Sequence, residues 1–353
     1  MLPTGPLDII GDIHGENDAL HNLLGHLGYN NDDRPDRKIV FVGDFCDRGP
    51  NSPQVLKRIQ ELVQDGTAVA ILGNHEINLL NDDPKDGSGW YFDVRSQQDQ
   101  ENYAPFVRAT STEREQIRSF LNTLPVVLER DDIRIIHATW DTQAVDRLRN
   151  VPIGNVAAMH KQWKAEMRRY ARQTGLWERY QAERTKWSEQ LENADKKPPF
   201  LHAMAEYEIA LRDFDPLKVV TSGKEQETEL AFFSGNRWRF SDRVPWWSTY
   251  DERIPVVIGH YWRLFNPVPG QVKSRYSELF DDLPPFSWHG LHNNVFCVDY
   301  SVGARWRERY TDNSRHIAPE RSQYRLAALQ WPEQQLVFDT GERVATQNQP
   351  GSN

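Results

Sequence analysis

The sequence predicts an α/β fold built on parallel strands. Three observations carry that expectation. Short apolar runs alternate with helical periodicity over residues 7 to 80, a glycine stops each run, and a polar residue follows each glycine. A β-α-β-α-β rhythm of this kind implies parallel strands joined by right-handed crossovers.

The elements read in order as follows. Leu7-Asp8-Ile9-Ile10 is a short strand stopped by Gly11. Asp18 to Leu27 is a helix with Leu20, Leu23, Leu24 and Leu27 on one face. Lys38 to Val42 is a second strand, stopped by Gly43. Pro53 to Val63 is a helix whose inner side carries Val55, Leu56, Ile59, Leu62 and Val63. Ala68 to Leu72 is a third strand, stopped by Gly73. Residues 81 to 100, rich in Asp, Gly, Ser and Gln, read as a long loop. Thr112 to Leu121 reads as a helix, and Val126 to Leu128 and Ile133 to His137 as paired strands about Arg130-Asp131.

Residues 155 to 214 differ in texture, being charged and aromatic. Trp163, Met167, Tyr170, Trp177 and Tyr180 recur at near-helical spacing. They predict one or two amphipathic helices, a helical insertion expected to form a cap or an interaction surface. Short strands are expected again at Val219-Val220, Val256 to Ile258, Val295 to Val298, Arg325 to Leu329 and Leu336 to Phe338. The expected organisation is one domain over 1–340 containing the 155–214 insertion, then a disordered polar tail over 341–353.

Composition bounds the function classes. The chain has 353 residues, enough for a full core without staples. With 51 acidic against 42 basic residues its net charge is -9. Non-specific nucleic-acid binding and anionic membrane surfaces are therefore not expected partners. Cys46 and Cys297 are too few for a metal knuckle or a disulfide framework, and the start of the chain carries no signal-peptide pattern. The expectation is a cytoplasmic protein.

Five motifs stand at the ends of five expected strands: Gly11-Asp12-Ile13-His14-Gly15, Gly43-Asp44-Phe45-Cys46-Asp47-Arg48-Gly49, Gly73-Asn74-His75-Glu76, Ile136-His137 and Gly259-His260. Ligands of open α/β sheets sit beyond the carboxyl ends of the strands. Asp12 and His14, two apart, face the same side of an extended turn. The donors divide as Asp12, His14 and Asp44 on one metal, and Asp44, Asn74, His137 and His260 on a second, with Asp44 bridging. Mixed carboxylate and imidazole donors suit manganese, the expected choice, with iron, zinc and magnesium as alternatives. Two divalent ions clamp the attacking and leaving oxygens of an in-line displacement. Arg48 offers a planar fork for phosphate oxygens, and Arg263 is a second candidate phosphate ligand. Cys46 reads as a small buried filler, with redox sensing as the alternative.

These residues resemble the calcineurin-like metallophosphoesterase superfamily, and within it phosphoprotein phosphatases and bacterial dinucleoside polyphosphate hydrolases. Gly-Asp-Phe-Cys-Asp-Arg-Gly-Pro-Asn-Ser-Pro, residues 43 to 53, is the most specific piece. The resemblance covers roughly residues 7 to 80 and then rests on His137 and His260. It implies a sandwich of two mixed β-sheets flanked by helices. It also implies that His75 donates a proton to the leaving oxygen, oriented by Asp47. One departure stands out: phosphoprotein phosphatases usually continue His-Gly-Gly, whereas Ala138-Thr139-Trp140 follows His137 here. The expected function is a two-metal phosphoesterase acting on phosphomonoesters, phosphoproteins among them, by direct attack of a metal-bridging hydroxide. A dinucleoside polyphosphate hydrolase is the alternative enzyme, and a metal-bound but inactive interaction module is the alternative of another class.

Overall fold

A computed structural model describes residues 1–31, 36–234, 237–267, 279–280, 283–311 and 318–348. Up to residue 138 the chain forms β1 (Leu7–Ile10), α1 (Asn17–His26), β2 (Lys38–Phe41), α2 (Ser52–Gln64), β3 (Ala68–Ala70), α3 (Asn74–Leu80), α4 (Asp93–Tyr103), α5 (Ser111–Leu121), β4 (Val127–Arg130) and β5 (Ile133–Ile136). Residues 139–246 make a separate compact unit. It contains α6 (Thr142–Arg149), α7 (Val156–Gln173), α8 (Leu176–Lys186), α9 (Ser188–Leu191), α10 (His202–Asp213), α11 (Pro216–Ser222), β6 (Glu225–Ser234) and β7 (Arg237–Arg243). Residues 247–353 rejoin the first unit with β8 (Val256–Ile258), β9 (Val295–Cys297), α12 (Arg305–Thr311), β10 (Ala327–Trp331), β11 (Gln335–Phe338) and β12 (Arg343–Ala345).

The first unit holds two mixed sheets. One has the order β12-β11-β10-β1-β2-β3, and the other β4-β5-β8-β9. The strands β1, β2 and β3 run parallel, as the alternating rhythm requires, and so do β5, β8 and β9. Leu7 and Ile9 of β1 point into one core with Val40 of β2, Ile133 and Ile135 of β5, Val257 of β8, Phe296 of β9 and Leu329 of β10. Side chains of both sheets thus meet in a single apolar layer, as in a sandwich. Helix α2 covers a sheet face with Val55, Leu56, Ile59 and Leu62 buried, while the Asn51 side chain accepts from the Gln54 N–H at its start. Each such buried aliphatic chain contributes roughly 1.5–3 kcal/mol.

Three expectations need correction, and one further element was not foreseen. The polar run expected as a loop over 81–100 contains most of α4, which buries only Asp99 and Tyr103 and so shows no apolar stripe. Arg95 pairs with Asp99 one turn on, and Asp99 also accepts from the Gly89 N–H. Val219-Val220 lies in α11 rather than a strand, because Asp215 caps the N–H groups of Leu217 and Lys218 and Pro216 opens the first turn. The hairpin β6–β7 was hidden by its charged residues, yet Ala231, Trp238 and Phe240 bury against Leu201, Met204 and Ala205. The tail expected to be disordered from 341 instead forms β12 against β11, and Gln347 exchanges backbone bonds with Phe286 and Trp288. Residues 349–353 lie outside the described residues.

The insertion packs within its own unit. Met167, Ala171, Leu176 and Tyr207 form its core, and Tyr180 stacks on Tyr207 at 4.1 Å. The compact unit is wider than 155–214 because α6, α11 and the hairpin belong to it. Among the described residues no helix is long and apolar enough to cross a membrane.

Candidate metal centre and phosphate site

The polar motifs all follow strands of the parallel sets: Asp12 and His14 follow β1, Asp44 follows β2, Asn74 and His75 follow β3, His137 follows β5 and His260 follows β8. Tight turns bring them together. Gly43 has φ 103°, and a Cβ there would lie 2.5 Å from the Gly73 backbone nitrogen. A Cβ on Gly259 would lie 2.0 Å from Asp12 Oδ1. Several non-glycine residues of the site also sit at positive φ: His14 48°, Asp44 51°, Asp47 75°, Arg48 68°, His260 68° and Trp262 49°. Each such residue costs on the order of 1–3 kcal/mol, a strain that gathers at functional sites.

The donors converge on Asp44. Its Oδ2 lies 3.2 Å from His137 Nε2, 3.8 Å from His14 Nε2 and 3.9 Å from His75 Nε2. Two trios have metal-binding spacing, His14–Asp44–His75 and Asp44–His137–His260. Asp44 belongs to both, the placement expected of a bridge. The first trio differs from the expected set, since His75 takes the place assigned to Asp12. The Asp12 carboxylate instead accepts the His260 backbone N–H at 3.0 Å, with one oxygen 4.0 Å from His14 Nε2. Asn74 is half-buried at the first position of α3.

The chemistry of this donor set fits divalent metal ions. His14 Nδ1 lies 3.0 Å from the Cys46 carbonyl and His137 Nδ1 lies 2.8 Å from the Val42 carbonyl. A carbonyl can only accept, so both Nδ1 atoms donate and both Nε2 atoms face the cluster, the arrangement that orients metal-binding histidines. The carboxylates crowd one another. Burial first, and then Asp299, hold Asp12 well above the usual carboxylate range. Burial is also the main reason Asp299 is pushed up to about 6. For Asp44 burial acts upward, but His137 and His75 outweigh it and hold the group low. Burial pulls His137 down, yet Asp44 and Asp12 raise it to about 10. Buried carboxylates gathered in this way call for a cation.

Beside the cluster, His75 Nδ1 bonds Asp47 Oδ2 at 2.5 Å, and the other Asp47 oxygen accepts the Trp90 indole N–H at 2.6 Å. Burial lowers the His75 pKa, but Asp44 and Asp47 together raise it above its ordinary value. The Arg48 fork spans the two imidazoles, with Nη1 3.1 Å from His14 Nε2 and Nη2 3.2 Å from His75 Nε2. Trp90, buried and 43 positions from Asp47, is invisible to motif reading. Trp90→Phe is expected to lower turnover ~10–100-fold, the usual loss for an outer partner of a site group. The drop should be larger for alkyl than for aryl phosphates. Equal drops on both would show that Trp90 does not act through His75.

Arg263 is a correction. Its guanidinium is buried and donates to the carbonyls of Pro284 and Ser287 at 2.7 and 2.8 Å. The fork is spent on backbone, so it is not the second phosphate ligand. Position in sequence relative to His260 does not determine which way so long a side chain turns. Glu76, an acid in the first turn of α3, does more than favour the helix start. Its carboxylate accepts from the N–H groups of Asp44, Phe45 and Gly73 and from the Cys46 thiol, locking two motif turns together. Glu76→Gln should strand buried donors at about 1–3 kcal/mol each. A denaturant midpoint equal to that of the unaltered protein would contradict this. Burial, then Asp47 and Glu76, push the Cys46 thiol well up, which suits a filler and not a redox sensor. Asp299, missed as a site residue, follows β9 as Asp44 follows β2, and it accepts from the Trp262 N–H at 2.9 Å.

Comparison with known proteins places these residues in context. The model of the calcineurin-like phosphoesterase family matches residues 5–289. Over 73 residues the chain is 45% identical to the asymmetrical bis(5'-nucleosyl)-tetraphosphatase PrpE of Halalkalibacterium halodurans, a match covering 19% of this chain and 30% of that protein. The PrpE of Oceanobacillus iheyensis is 46% identical over 74 residues, covering 20% and 30%. The chain thus matches well under half the length of these curated relatives. Among solved structures, the cold-active protein-tyrosine phosphatase of a psychrophile Shewanella sp. is similar at TM-score 0.47 and 14% identity, covering 98% of this chain and 81% of that one.

Proposed function

The chain belongs to the calcineurin-like phosphoesterase family, and we propose that it hydrolyses phosphate esters or anhydrides with two divalent metal ions, manganese first among them. The observation that carries this reading is Asp44 shared by two buried pairs of histidines, His14 with His75 and His137 with His260, with Arg48 and Asp47 in contact with His75. His14, Asp44, His137 and His260, with Asp12 and Asn74 alongside, would hold the ions. Bound divalent ions supply an activated water and neutralise phosphoryl charge.

The chain's own residues supply the rest. Arg48 offers two planar N–H donors to phosphoryl oxygens. His75 Nε2 delivers a proton to the leaving oxygen as the P–O bond breaks. Asp47, whose carboxylate accepts from Nδ1, stabilises the doubly protonated ring that can give up its Nε2 proton. Water gains the bond to phosphorus and loses a proton, and the products are phosphate and an alcohol or a shorter phosphate. A turnover assay with an aryl phosphate and manganese tests the reading against an inactive interaction module. Hydrolysis abolished by chelator supports it; no hydrolysis of any phosphate ester or anhydride would refute it.

A dinucleoside polyphosphate is the second substrate reading. The two PrpE relatives favour it, since their matches bear the tetraphosphatase name. Product analysis on a dinucleoside tetraphosphate separates it from a simple monoesterase.

A further inference from the structure

We infer that the segment after β9 is a backstop that positions His14, with Gly303 pressed against the imidazole and Arg309 holding the turn behind it, so that it sets the affinity of one metal site and not of the other. The inference rests on the metal-centre reading above. The turn after β1 carries His14 at φ 48°. A non-glycine residue in that region persists only where its surroundings over-determine it. Part of the restraint is local. The N–H groups of Ile13 and His14 both donate to the Asp44 carbonyl at 3.0 Å, and His14 Nδ1 donates to the Cys46 carbonyl at 3.0 Å. One bond at Nδ1 leaves the ring free to swing about it. A second contact is needed to keep Nε2 at its 3.8 Å from Asp44 Oδ2.

Gly303, in the buried turn Val302–Ala304, supplies that contact. A Cβ there would lie 2.3 Å from His14 Cδ2, 2.7 Å from its Cγ and 2.8 Å from its Cβ. Nonbonded carbons rest about 3.5–4.0 Å apart. Cβ and Cγ lie on the axis of ring rotation, so turning the ring cannot clear them. A side chain at 303 would displace the whole of His14, Nδ1 and Nε2 included. The segment that carries Gly303 is itself fixed. The Ser301 N–H donates to Asp299 Oδ1 at 2.7 Å, the Ser301 hydroxyl to the Arg263 carbonyl at 2.8 Å, and the Arg325 N–H to the Tyr300 carbonyl at 3.0 Å. In α12, Arg305 donates to Asp339 Oδ2 at 2.7 Å and to the Tyr324 carbonyl at 2.8 Å. The same segment holds the β1 turn on both sides of His14. Ahead of it, a Cβ on Gly11 would lie 2.4 Å from the Val298 carbonyl oxygen. Behind it, both oxygens of buried Glu16 accept from Arg309, at 2.6 and 2.9 Å. The other trio is held by different partners, His137 by the Val42 carbonyl and the His260 N–H by Asp12.

The test titrates manganese into metal-stripped protein by calorimetry, for the unaltered protein, His14→Ala, Gly303→Ala and Glu16→Gln. His14→Ala identifies the site that uses His14, because that site is lost. In Gly303→Ala the same site should weaken ~10–100-fold, the range for an outer partner of a ligand, while the other stays within about twofold. Glu16→Gln loosens the Arg309 end without adding bulk, and should weaken the same site by a smaller factor. It decides the question if Gly303→Ala does not fold. Two unchanged affinities in the deciding variant would overturn the inference. So would equal weakening of both sites, or a lowered denaturant midpoint with both sites intact, which is what a merely structural role gives. An unaltered protein that binds no ion, or His14→Ala that binds two as tightly as the unaltered protein, would instead sink the metal-centre reading, a separate outcome.

Discussion

His75→Ala is expected to retain bound metal and to lose ~10²–10⁴-fold in turnover, the range for a missing general acid. The loss should shrink for aryl phosphates, whose leaving oxygen needs little protonation, and should be greatest for alkyl esters. The geometry makes the metal content of this variant informative. His75 Nε2 lies 3.9 Å from Asp44 Oδ2 within one of the two candidate trios, while its Nδ1 is tied to Asp47. Retained metal with a leaving-group-dependent loss fits a proton donor. Lost metal with equal losses on aryl and alkyl substrates would make His75 a ligand and leave the donor role without support.

Asp44→Asn should be the most damaging single substitution in the site. Asp44 is common to both trios, and its Oδ1 also accepts the His75 backbone N–H at 3.0 Å. The amide keeps the shape but loses the charge that holds three imidazoles around it. Metal affinity is expected to fall by more than the ~10–100-fold typical of an outer partner, with turnover falling in step. Elemental analysis of the purified variant provides the check. An Asp44→Asn protein that binds as much metal as the unaltered one, and as tightly, would contradict the bridging role.

The parts of this protein that were legible in its sequence share a physical cause. Buried parallel strands need short continuous apolar runs, so β1, β2 and β3 stand out at Leu7, Lys38 and Ala68. Turns that bring backbones within contact distance need glycine, so Gly43 and Gly259 mark where the donors follow. The helix α4 and the hairpin β6–β7 did not stand out, because few of their side chains are buried and their polar faces mask the period. Roles set by distant partners were illegible for another reason. Glu76 reads as a helix-start acid until three backbone N–H groups are found on its carboxylate. Trp90 has no motif, and only the folded chain carries it to Asp47. Arg263 failed in the opposite sense, since its neighbours in sequence suggested the site while its guanidinium turns to buried carbonyls.

The central claim is that two divalent ions held around Asp44 drive phosphate hydrolysis. Manganese titration of metal-stripped protein, with binding followed by calorimetry and aryl phosphate hydrolysis read on the same samples, tests it most directly. The account predicts two sites per chain and activity that rises from nothing as they fill. Activity in the stripped protein that is undiminished by chelator, or saturation without any bound ion, would contradict it.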